Sequence, residues 1–166
     1  MLKCGQNNKS HGVPSLTDEE ELYGEIKPDV RALAQPLFEL SEKALRERGS
    51  FLPHAAALTE GKVRLVGAMC NTANGVANST HIKPLLRQGL RSMAHERPVT
   101  AIGVAETVTT TPDGQSQQAI KVLLEHHRGL TMALYLPFAQ DTSGEIKFGS
   151  TLSMFVPAEM NPWDED

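Results

Sequence analysis

A chain of 166 residues with a formal net charge of −4 suits one domain, large enough to bury a core without covalent staples. Its two cysteines, Cys4 and Cys70, form no Cys-x-x-Cys pair and no disulfide framework, and no apolar run approaches the ~20 residues of a membrane span. The N-terminus lacks the apolar core of a signal peptide, and the acidic balance argues against broad attraction to nucleic acid or an anionic membrane, so a cytoplasmic protein with neither partner is expected.

Residues 1–16 are rich in Asn, Ser, Gly, Lys and His and offer little apolar surface to offset ordering entropy, which predicts a flexible leader. Thr17-Asp18-Glu19-Glu20 has the spacing of a capping box and predicts a short helix start. From Pro28 to Arg48 the residues Val30, Leu33, Leu37, Leu40 and Ala44 recur at three and four positions, the stripe of a first main helix stopped by Gly49. Pro36 removes one intrahelical bond and crowds the carbonyl of Ala32, so a kink or split near residue 35 is expected.

Phe51 to Leu58 and Lys62 to Cys70 read as two strands about the turn Thr59-Glu60-Gly61, followed by a polar loop from Asn71 to Asn78. Ser79 or Thr80 caps a second helix with the stripe Ile82, Leu85, Leu86, Gly89, Leu90 and Met93, ending before Pro98. Strands follow at roughly 99–110, 117–127 and 130–138, with a broken one at 145–156, separated by turns at Asp113-Gly114, Arg128-Gly129 and Ser143-Gly144. Ala101, Gly103 and Ala105 share one face of the first of these, a face small enough for a helix or another chain to pack closely. Ile120, Val122 and Leu124, then Leu130, Met132, Leu134, Leu136 and Phe138, hold one parity and mark the core face.

The expected architecture is therefore α+β, a two-layer arrangement of two main helices and an antiparallel five- to six-stranded sheet in the order α-β-β-α-β-β-β. A single domain spans residues 17–157, and residues 158–166 form an acidic tail carrying Trp163.

Glu125-His126-His127 is the densest titratable cluster, and imidazole suits metal ligation or general-base work. Strand alternation puts Glu125 and His127 on one face and His126 on the other, so the triplet cannot converge on one ion, and polar residues before a Gly turn are the plainer reading. A turn centred on Asp113-Gly114 sets Glu106 opposite Lys121 and near Glu125. That permits a carboxylate pair for acid–base chemistry or, more plainly, a cross-strand ion pair. Lys83, Arg87 and Arg91 recur every fourth residue as a basic stripe on the second helix, either a partner surface or a solvated face, and Trp163 in its acidic setting is either part of a disordered tail or a docking element for self or partner. Cys70 reads as a small buried hydrophobe, and no metal or cofactor is expected.

Phe51-x-Pro53, Leu86-Arg87-x-Gly89-Leu90-Arg91, Glu125-His126 and Leu136-Pro137-Phe138, spread over residues 35 to 157, resemble motifs of a family of small bacterial cytoplasmic proteins, a domain of unknown function. That resemblance implies the same layout and carries no assigned activity over to this chain. The order of elements also resembles roadblock and longin scaffolds, which implies a dimerisation or docking module.

The expected function is a non-enzymatic protein-interaction or accessory module that binds a protein partner or a second copy as a homodimer. The alternative is a small-molecule or metal-dependent enzyme using Glu106, Glu125 and His126. An enzyme requires a concave pocket with converging polar groups, and an interaction module requires exposed apolar area.

Overall fold

The computed structural model describes residues 16–67 and 79–164; the expected polar loop, Cys70 and all of the leader except Leu16 lie outside them. Helix α1 (Leu16–Arg48) is followed by the strands β1 (His54–Thr59) and β2 (Lys62–Val66), helix α2 (Ser79–Glu96), and β3 (Val99–Thr110), β4 (Gln117–His126), β5 (Thr131–Gln140), β6 (Ile146–Phe148) and β7 (Leu152–Phe155). All pairings are antiparallel in the order β2-β1-β3-β4-β5, with β6 and β7 sharing the outer edge of β5. The class is α+β as expected, with seven strands rather than five or six because the broken C-terminal strand forms two separate pairings.

The expected two layers are three. Ala56, Leu58, Ala101, Ala105, Ile120, Val122 and Leu124 pack with Ile26, Val30, Leu33, Leu37 and Leu45 of α1. Their alternating neighbours Ala55, Ala57, Ile102, Val104 and Leu123 pack with Ile82, Leu86 and Leu90 of α2. Because successive side chains on a strand point to opposite faces, the helices cover opposite sides of one sheet. The central strands are apolar on both faces for that reason.

α1 is a single helix of 33 residues that runs through Pro28 and Pro36, so the expected split near residue 35 is absent. Apolar docking holds the helix together across the missing hydrogen bonds, with Leu33 and Leu37 on either side of Pro36 fully buried. The side chain of Thr17 lies outside the described residues. Leu40, expected in the buried stripe, is exposed, and Ser41 is buried in its place with its hydroxyl donating to the Leu37 carbonyl at 2.7 Å.

The small face of β3 receives α1 closely. A Cβ on Gly103 would stand 2.6 Å from Leu37 Cδ1 and 3.1 Å from Leu124 Cδ2, so any larger residue there would force the buried Leu37 side chain to shift. The reversals are also sequence-determined. Glu60 and Gly61 have φ of 52° and 75°, and Asp113 and Gly114 have 55° and 78°, paired left-handed residues that match strand twist. The second turn is centred as the sequence predicts, so Glu106 pairs Lys121 in the β3–β4 register, although the ladder opens at Thr110 and Gln117.

Candidate functional site

On the α2 face the chain returns after β7 as a strap over residues 157–164 that turns at 161–164, and the predicted site residues mostly meet there. Glu125 is the centre. It sits in β4 between Ile102 and Thr131, 2% exposed, where an unpartnered carboxylate would be costly. Its Oε2 accepts from the amides of Glu159 at 2.9 Å and Met160 at 2.7 Å, and its Oε1 accepts from the amide of Asn161 at 2.9 Å. Asn161 has φ 43°, a left-handed conformation that asparagine tolerates better than most residues, and it turns the chain after the third amide, with the Asp164 amide donating back to the Asn161 carbonyl at 3.2 Å.

The basic stripe of α2 holds the same segment from the other side. Lys83 Nζ donates to Glu106 at 2.9 Å and to Glu159 at 3.5 Å, and Lys121 Nζ donates to Glu159 at 2.9 Å. Arg87 Nε donates to the Met160 carbonyl at 3.2 Å, and Arg91 donates to the Asp164 carbonyl at 3.0 Å. Trp163 donates its indole N–H to the Val99 carbonyl at 3.0 Å, and Met160 is buried among the α2-face core residues. The expected tail is therefore a docked part of the fold through Asp164. The expected partner-binding residues Lys83, Arg87, Arg91 and Trp163 all make contacts within the chain.

Electrostatics follows the geometry. Burial disfavours the charge on Lys83, but the hydrogen bond and charge of Glu106, joined by Glu159, outweigh it and raise the ammonium pKa above its ordinary 10.5. Burial likewise opposes the Glu159 carboxylate, and Lys121 with Lys83 overrides it, leaving the pKa below the ordinary 4.5.

The catalytic candidates do not assemble. Glu106 is taken by Lys83 rather than by its cross-strand neighbour Lys121, and Glu125 is taken by the strap, so the expected carboxylate pair does not form. His126 lies on the α1 face, where its Nε2 is 2.9 Å from Asp29 and its Nδ1 accepts from the Arg128 amide at 3.2 Å. That arrangement places the ring proton on Nε2, facing the Asp29 carboxylate. Burial lowers the His126 pKa, with His127 and Arg128 adding to the effect against the pull of Asp29. Among the described residues no group of three or more His, Cys, Asp or Glu side chains is placed to hold a metal ion.

A second feature lies at the far end of α1. A cleft of about 610 Å³ is lined mainly by apolar side chains, Leu40, Ala44, Phe51, Leu52 and Pro53, together with Arg48 and His54. Leu40 and Leu52 are 40% and 51% exposed, and Leu65 on the edge strand β2 is 58% exposed. Ser41 Oγ lies 3.4 Å from His54 Nε2 beside this cleft, but Ser41 is fully buried and its proton is committed to the Leu37 carbonyl, which leaves no accessible nucleophile.

Sequence reasoning missed Glu159, Met160 and Asp29 as partners, and missed the cleft. One signal was present for the strap: Glu125 follows directly on the apolar run Val122-Leu123-Leu124 within one strand, and a carboxylate buried there demands donors from somewhere. Helix periodicity hid the cleft by assigning Leu40 to the core. No helix among the described residues is long and apolar enough to cross a membrane. Comparison with protein-family models, with curated proteins and with solved structures finds no match.

Proposed function

We propose that the chain is a non-enzymatic interaction module that associates with a second copy of itself through the apolar cleft at the C-terminal end of α1. The observation that carries this reading is the exposure of Leu40 and Leu52 around a concave apolar surface. Two copies meeting about a two-fold axis bury the same patch on each, so one self-complementary apolar surface serves both subunits. Lys62 and Arg64 on the neighbouring edge strand oppose direct edge-to-edge pairing of two β2 strands, because an antiparallel match centred on that strand sets Arg64 against its own copy. The association is therefore side chain to side chain across the cleft and does not extend the sheet.

Light scattering on the purified protein tests it. The wild-type chain should have twice the monomer mass at micromolar concentration, and the double variant Leu40→Glu, Leu52→Glu should be monomeric with an unchanged far-ultraviolet spectrum. A wild-type monomer at every concentration would sink the reading. The acid–base alternative loses its support because Glu125 and Glu106 are engaged by the strap and by Lys83.

A further inference from the structure

The strap is held as a separate peptide would be. Val156 still donates its amide to Thr131 at 3.1 Å, and Pro157 and Ala158 then carry the chain away from the sheet as exposed linker. From Glu159 to Asp164 the anchoring bonds cross to the body of the domain, to Glu125, Lys83, Lys121, Arg87, Arg91 and Val99.

We infer that the channel between α2 and β3–β4 is a peptide-recognition site, filled here by the chain's own residues 159–164, and that the partner it fits is an acidic peptide of another protein that makes a local turn. Four elements define that ligand. Glu125 reads backbone amides, so it asks for a local turn and not for particular side chains. Lys83 and Lys121 ask for a carboxylate, supplied here by Glu159. The α2-face core takes an apolar side chain in the place of Met160, and the Val99 carbonyl takes an indole N–H four residues after the acid. The space beside the strap gives room for a longer ligand: a groove of about 980 Å³ continues along α2 past Gln88 and Ser92 to His95. Lys83, Arg87 and Arg91 outnumber Glu96 and Glu159 in its lining, and that excess of positive charge complements acidic residues on an incoming chain.

The strap is a tethered competitor. A short linker gives it an effective concentration on the order of millimolar, so a separate peptide wins only when the strap's own hold is weakened. This inference uses a different surface from the apolar cleft and does not depend on self-association there.

The test titrates a fluorescein-labelled peptide of residues 157–166 against the full-length chain and follows anisotropy. Wild type should bind only at millimolar peptide. The full-length Trp163→Ala chain, with its strap loosened, should bind at least tenfold more tightly. Adding Glu125→Gln, which turns an amide donor towards the peptide's donors, should abolish that binding. Adding Lys121→Ala instead should weaken it several-fold, and this partly exposed site keeps the test valid if Glu125→Gln disturbs the fold. Binding by Trp163→Ala no tighter than wild type overturns the inference, as does binding that survives Lys121→Ala unchanged in a chain with a normal melting curve.

Discussion

Across the α1 face, closure is apolar and close-range. One continuous helix lies on Ala101, Gly103 and Ala105, and Leu37 occupies the space that any Cβ on Gly103 would need. Across the α2 face, a shorter helix covers part of the sheet, and the strap, latched by one buried carboxylate and several cations, covers more. The same sheet is thus sealed by apolar packing on both sides, with a layer of hydrogen bonds and charge added on the second where the strap crosses it. Apolar packing is cooperative and has no single point of release, whereas a polar latch does.

The largest effect that separates the faces is a cavity under α1. Leu37→Ala should destabilise the domain by about 2–5 kcal/mol in urea unfolding while leaving the amides of residues 159–161 as protected, relative to global stability, as in wild type. Glu125→Ala should cost about 2–3 kcal/mol, less than three orphaned amides would imply, because the strap can turn those amides to water once released. Exchange at residues 159–161 should then accelerate and Trp163 emission should shift to the red. An equal loss of protection throughout α1 would break the distinction between the faces. Trp163→Ala should cost about 1–2 kcal/mol through one lost hydrogen bond and partial apolar burial. Lys121→Ala should cost under ~1 kcal/mol, since its partner Glu159 is substantially exposed and the pair is screened.

Acid separates the faces a second way. His126 has a folded-state pKa below its ordinary 6.5, so the unfolded chain binds the proton more readily. The stability it contributes is complete above that value and declines as pH falls through the folded one, and His126→Gln should flatten this part of the profile. Glu159, with a pKa below the ordinary 4.5, contributes stability that is present above 4.5 and is lost only as pH falls further. Denaturation series at stepped pH should therefore show the α1 face weakening first. A wild-type profile that is level down to pH 4.5 would contradict the assignment for His126.

Much of this was legible residue by residue. Asp113-Gly114 gave the β3–β4 register through to Glu106 opposite Lys121, because paired left-handed residues fix where a hairpin folds. The small parity of Ala101, Gly103 and Ala105 announced a close helix. Two failures have physical causes. Pro36 was weighed as a local defect, but long-range burial of Leu33 and Leu37 outweighs one missing bond, so tertiary packing decided the helix. The site was not legible because Glu125 and its donors are more than thirty residues apart, and nothing in a basic stripe or a terminal tryptophan says that each is spent within the chain.

The strap has a consequence for the order of folding. Every group it touches, from Lys83 to His127, precedes it in the chain and leaves the ribosome earlier, since synthesis runs from the N-terminus. The helix and strands of the α1 face can reach their final packing while Glu125 still faces water with its charge hydrated. The α2 face waits, its carboxylate exposed, until residues 159–161 arrive.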